Sequence, residues 1–230
     1  MTPDYGPDYG RAFGLWRAAA AGPWADYTRH DFVEGLRTGG LPRASFLHYL
    51  VQDYVFLIHF SRAWALAIAK AETLDEMKIA AGTVNALVNE EMQLHVGICA
   101  EAGISEDQLF TAVEERENMA YTRYVLEAGY SGDFLDMMAA LAPCVMGYGE
   151  IGARLAGEKT SDLYADWINT YAGEDYQGLC VSVGEMIDKA MVARLGDDPQ
   201  ASPRWAALSD RFLTATRLEA GFWDMGLRGA

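Results

Sequence analysis

Apolar side chains recur at gaps of three and four along most of the chain. After Pro42, a residue suited to a first helical turn, Leu47, Leu50, Val51, Tyr54, Leu57, Ile58 and Ala65 fall on one face of a helix reaching about Lys70. The same spacing predicts helices over about Leu74–Ala102, Glu114–Ala128, Asp133–Ala156, Ser161–Tyr171, Glu174–Leu195 and Pro203–Leu227. Gly103, Gly129 with Gly132, Gly157, Gly173 and the run Gly196-Asp197-Asp198-Pro199 supply the stops. Ser105 with Gln108 three residues on reads as a capping box. A further helix spans Tyr9–Ala21 and ends at Gly22-Pro23. No run alternates with period two, and no linker rich in Pro, Gly or Ser divides the chain. Pro3–Gly6 echoed by Pro7–Gly10 is a repeat too short for a solenoid. The expected fold is all-α, a single domain over residues 1–230 built as a bundle of about seven or eight helices.

Charge narrows the partners. The 230 residues carry 33 acidic against 18 basic side chains, a formal net charge of −15. That sign is wrong for nucleic acid or an anionic membrane. A hydrophobic share of 51% beside 22% charged residues describes a globular chain rather than a disordered one. The longest uncharged run near the middle, Met137–Gly149, is shorter than the ~20 apolar residues a membrane span needs. Tyr54–Ala69 is interrupted by His59 and Arg62, and the acidic start broken by Pro3 and Pro7 does not read as a secretory leader. Cys99, Cys144 and Cys180 are odd in number and include no CxxC, so neither a disulfide framework nor a cysteine zinc site is expected. These features fit a soluble, cytoplasmic protein.

The chain has no Gly-rich phosphate loop, no GxSxG and no HExxH. Its histidines are His30, His48, His59 and His95, whereas helical di-iron sites draw ligands from several helices. Glu91 and His95, four apart, face the same way and could share a metal. The plainer reading, Glu90 and Glu91 solvated and His95 hydrogen-bonded, is the stronger. Cys144 follows Pro143 in a stretch with small residues at Ala139, Ala140, Ala142, Gly147 and Gly149, and shares a helix face with Tyr148. By spacing, Cys144 is a packing cysteine before it is an accessible nucleophile, and both readings stay open. Asp53 sits among Tyr49, Phe56 and Phe60 with no Lys or Arg beside it, so its carboxylate needs a partner side chain or a polar ligand. Glu219 stands one turn before Phe222 and Trp223, and Tyr121 with Tyr124 and Tyr171 through Tyr176 add further rings. Carboxylates inside aromatic faces suit a flat, nitrogen-bearing ring, stacked by the rings and hydrogen-bonded by the acids.

Four segments together resemble the TenA/thiaminase II family over nearly the whole chain. They are Gln52-Asp53 with His59-Phe60, Leu141-Ala142-Pro143-Cys144 with Tyr148 and Glu150, Trp167–Glu174, and Glu219 before Phe222-Trp223. The resemblance implies a haem-oxygenase-like helical bundle assembled as a homotetramer. It implies hydrolysis of 4-amino-5-aminomethyl-2-methylpyrimidine, or of thiamin itself, to 4-amino-5-hydroxymethyl-2-methylpyrimidine for thiamin salvage, with no metal or cofactor. Carried onto this chain, it makes Cys144 the nucleophile, Glu219 the acid/base and Asp53 the anchor of the pyrimidine nitrogens. Tyr121, Tyr148 and Tyr171 line the site and Phe222 walls it. Phe56 stands where some members carry Tyr, which keeps the wall and loses a hydroxyl. Cys144 with Pro143 places the chain in the cysteine-bearing branch. Two other classes stay open: a di-iron oxidase on the same fold, and a non-enzymatic regulator acting through a protein partner.

Overall fold

The structure, a computed structural model, describes residues 6–229. Every regular element among them is a helix, in agreement with the all-α expectation. In chain order these are α1 (Arg11–Ala19), α2 (Ala21–Thr28), α3 (Asp31–Thr38), α4 (Arg43–Lys70), α5 (Leu74–Ala86), α6 (Met92–Glu101), α7 (Glu106–Phe110), α8 (Arg116–Ser131), α9 (Phe134–Glu158), α10 (Ala165–Ala172), α11 (Glu174–Leu195) and α12 (Trp205–Arg228). A π-helical turn, Leu87–Glu91, joins α5 to α6, and a 3-10 turn, Pro199–Ala201, precedes α12. Pro3, and with it most of the first copy of the N-terminal repeat, lies outside the described residues.

The chain forms two compact units. The first takes in the described residues up to Leu41 together with 138–220, and the second takes in 42–137 with the described residues from Gly221 on.

In the second unit α4 is the central element, with α5, α6, α7 and α8 packed against it. Periodicity assigns α4 one apolar face, but Gln52, Asp53, Tyr54, Val55, Phe56 and Leu57 are all buried in succession, so the middle of the helix is enclosed on every side. Ala65, expected on the inner face, is exposed. Helix α5 opens on a capping box: Glu76 N donates to Thr73 Oγ1 at 3.2 Å and Thr73 N donates to Glu76 Oε2 at 3.2 Å. Thr73→Ala is expected to cost about 1 kcal/mol, read as a lower urea midpoint at unchanged slope. Ser105 and Gln108 form the second capping box, as their spacing predicts.

In the first unit α1 packs on α2 and α11, and α10 packs on α11. Phe13, Trp16, Trp24 and Phe212 form an aromatic cluster, with ring centroids 5.4–6.2 Å apart along the contacts of Phe13 and Phe212. Gly22-Pro23 does not end a helix here; it lies in the first turn of α2, where a missing N–H costs nothing. Helix α3 escapes the periodicity because it has only eight residues. These short helices, with α7 and the division of the Leu74–Ala102 stretch by a π-turn, raise the count above the seven or eight expected. Ser161 is not helical either; its hydroxyl accepts from Leu163 N and holds a turn, and α10 begins at Ala165. Helix α9 runs unbroken through Pro143. By length and composition alone it could cross a membrane, but 83% of its most apolar window is buried inside the protein, as in a core helix.

Candidate active site

The anchor expected at Asp53 is in the second unit, midway along α4 and 3% exposed. Tyr49, one turn earlier, donates its hydroxyl to Asp53 Oδ2 at 2.9 Å. His95 Nε2 lies 2.7 Å from the same oxygen, and His95 Nδ1 lies 2.9 Å from the Glu91 carbonyl. Both ring nitrogens therefore face acceptors, a demand that only the doubly protonated imidazolium meets with two donors. Burial of the ring pulls the His95 pKa down, but the hydrogen bond and charge of Asp53, with Glu91 adding, outweigh it, and the net direction is up. Among the described residues Asp53 Oδ1 accepts no protein hydrogen bond. With Oδ2 doubly engaged, the carboxylate is held in one orientation and keeps Oδ1 for another donor.

Rings surround this carboxylate's helix. Phe56 lies 5.0 Å from Tyr121 and 5.4 Å from Phe222, and Phe222 meets Tyr49 edge-on at 6.2 Å. The second unit thus gathers Asp53, Phe56, Tyr121 and Phe222. His95 as partner of Asp53 is missed by sequence reasoning, which pairs it with Glu91 four residues away. The available signal is the need of Asp53 for a donor, in a chain whose other histidines all lie at or before residue 59. Both nitrogens of His95 are taken by protein groups, which removes the Glu91/His95 pair as a metal motif. Among the described residues no three His, Cys, Asp or Glu side chains converge as metal ligands.

The first unit holds Cys144, Tyr148, Tyr171 and Glu219. Cys144 is 9% exposed and follows the proline of α9, which offers no N–H to the carbonyl four residues back. Cys99 and Cys180 are fully buried; burial pushes the Cys99 thiol up to about 11 and the Cys180 thiol up as well, so both remain protonated at neutral pH. Tyr148 meets Tyr171 at 4.9 Å and Trp167 at 5.8 Å, and Tyr171 meets Tyr176 at 4.9 Å. Glu219 is 2% exposed on α12. Helix α9 approaches Tyr171 through Gly152, where a Cβ would stand 2.5 Å from the Tyr171 carbonyl carbon. Gly152→Ala must therefore displace backbone rather than a flexible tip. It is expected to cost about 1–3 kcal/mol and to move Tyr171, measured by urea unfolding and by KM.

Comparison with known proteins adds to this geometry. Residues 17–229 match the profile of the TENA/THI-4/PQQC family. A solved TenA family transcription regulator from Silicibacter sp. TM1040 is 65% identical, with a TM-score of 0.94 over 95% of this chain and 97% of the other. A TenA homologue protein from P. horikoshii OT3 is 25% identical, with a TM-score of 0.84 over 95% and 99%. Among curated relatives, the aminopyrimidine aminohydrolase of Halalkalibacterium halodurans is 34% identical over 88% of this chain and 89% of its own.

Proposed function

The chain belongs to the TENA/THI-4/PQQC family, and from that premise we propose that it is an aminopyrimidine aminohydrolase of thiamin salvage. The substrate is 4-amino-5-aminomethyl-2-methylpyrimidine, with thiamin as an alternative, and the product is the corresponding hydroxymethylpyrimidine. The observation that carries the reading is Asp53: a buried carboxylate fixed through one oxygen by Tyr49 and His95, with the other oxygen open to an N–H donor, beside the Phe56, Tyr121 and Phe222 rings. An aminopyrimidine offers such a donor and a flat face.

In the proposed reaction Asp53 holds the pyrimidine amino group and the rings hold its plane. The Cys144 thiolate adds to a ring carbon while Glu219 delivers a proton to a ring nitrogen. Loss of aromaticity pushes an electron pair toward the exocyclic methylene, and ammonia departs. Water adds at the methylene, Glu219 recovers its proton, and the thiolate is expelled as the ring becomes aromatic again. One slow displacement becomes two easier steps, and the scheme calls on no metal or cofactor. Phe56 leaves the wall without a hydroxyl and bears on substrate preference. The charge of −15 favours this class of ligand, because thiamin and a protonated aminomethylpyrimidine are both cations.

The protein is taken to act in the cytoplasm as a homotetramer. Phe110, Val113 and Tyr130, at 68%, 84% and 75% exposure, are apolar surface of the kind that assembly covers. Sedimentation of the purified protein reads the assembly directly. A regulatory role is the second reading, favoured by the name of the relative from Silicibacter; at this charge it would work through a protein rather than DNA. The deciding experiment is a mass-spectrometric panel of thiamin, aminomethylpyrimidine and related heterocycles with the wild-type protein. Conversion of an aminomethylpyrimidine to its alcohol supports the hydrolase, and inertness toward every compound sinks it.

A further inference from the structure

Tyr9 precedes α1 and is buried at 2% exposure. Its hydroxyl donates to Gln177 Oε1 at 2.6 Å. Gln177 Nε2 in turn donates to the Tyr171 carbonyl at 2.8 Å and to the Gly149 carbonyl at 3.0 Å. Each amide hydrogen meets one carbonyl and the amide oxygen meets the phenol, so the side chain has one satisfied orientation. The Tyr171 carbonyl belongs to the last turn of α10, where helix carbonyls lack an intrahelical donor, and Gly149 directly follows Tyr148 in α9. Gln177 therefore ties together the backbones beside the two rings that meet at 4.9 Å. Burial, with Cys180 adding, pushes the Tyr9 phenol up, so it stays a donor.

The segment carrying Tyr9 is fastened independently. Asp188 accepts from Arg11 N at 2.8 Å and from Ala12 N at 2.7 Å, a carboxylate at the start of α1. Arg17 bonds Glu150 Oε2 at 2.9 Å, and Trp24 Nε1 bonds the other oxygen of Glu150 at 3.1 Å. On α11, a Cβ at Gly184 would run into the Tyr9 carbonyl oxygen, so only glycine admits the segment at this depth.

We infer that Tyr9 and Gln177 are positioning residues, through which the N-terminal segment sets where Tyr148 and Tyr171 stand for the substrate ring. The inference rests on the reading that these two tyrosines line the substrate site. Tyr9 precedes residue 17, where the family match begins, so family membership does not supply this role.

The test uses the full chain with Tyr9→Phe, which keeps the ring and removes one hydroxyl. Gln177→Glu is the second variant; it still accepts from Tyr9 but donates to neither carbonyl. Val33→Ala, a fully buried position on α3, is the control for stability loss alone. Hydrogen exchange without substrate is expected to quicken by about ten-fold in the peptide spanning residues 165–177 in both variants. With aminomethylpyrimidine, KM is expected to rise by about ten-fold while kcat holds within about two-fold. Faster exchange confined to residues 6–20, an unmoved KM, or an equal rise in KM in Val33→Ala overturns the role. A wild-type protein that turns over no pyrimidine sinks the hydrolase reading instead, and the exchange result then decides the tie between Tyr9, Gln177 and α10 by itself.

Discussion

Cys144→Ala is expected to lower kcat on an aminomethylpyrimidine by at least about a thousand-fold while binding survives. The physical basis is the reaction path. Without addition to the ring, the methylene must lose its amine against full aromatic stabilisation. Substrate contact by Asp53 and the rings does not depend on the thiol, so the loss belongs in kcat rather than KM. Glu219→Gln keeps the shape and the hydrogen-bonding reach of the side chain but cannot carry a proton, and kcat is expected to fall by about a hundred-fold or more. The two defects act on one step, so the double variant should be little worse than Cys144→Ala alone. Cys99→Ala and Cys180→Ala serve as comparisons, since burial holds both as thiols. Single-turnover rates with each purified variant decide the matter; a Cys144→Ala protein with more than a tenth of wild-type kcat would exclude the nucleophile.

Asp53→Asn carries the second large effect, on stability and binding together. It takes the counter-charge from a fully buried His95 and leaves one of two ring donors without its carboxylate. Breaking a buried pair from one side costs about 3 kcal/mol, and KM should rise because Oδ1 is also the proposed substrate acceptor. The pH dependence follows from the direction of the His95 shift. A histidine raised in the folded state contributes stability that is complete below about pH 6.5, where the unfolded residue is also charged, and that fades as pH rises through the folded value. Unfolding free energy in urea should therefore decline over that window in the wild type. His95→Gln and Asp53→Asn should each flatten the decline. An unchanged slope in His95→Gln would mean that His95 is not the titrating group.

Much of the fold is written locally, and those parts are legible. Helix α11 spans Glu174–Leu195, the limits its periodicity and flanking glycines predict. The capping box at Ser105 needs only two residues three apart. The start of α2 is lost for the opposite reason: Gly22-Pro23 is ambiguous until the fold says whether a helix ends or begins there. Periodicity also fails on α4, because a helix enclosed on all sides has no polar face to define a stripe. Of the candidate site, composition marks Asp53 as a carboxylate in need of a partner. It cannot name His95, which stands 42 residues away on another helix. Gln177 leaves no signal at all, since a glutamine in a first helical turn is ordinary until Tyr9, 168 residues earlier, is seen to meet it.

The π-turn at Leu87–Glu91 has a meaning for how this sequence tolerates insertion and deletion. Such a turn amounts to one residue inserted into an α-helix, and it weakens the hydrogen-bond ladder around it. Deleting a residue there would restore a regular ladder, yet it would swing everything after it by about 100° around the helix axis. His95 would then leave Asp53, the buried imidazolium would lose its carboxylate, and a locally better helix would make a worse protein. The extra residue is in effect a register pin, and its length is held fixed by a bond made on a different helix.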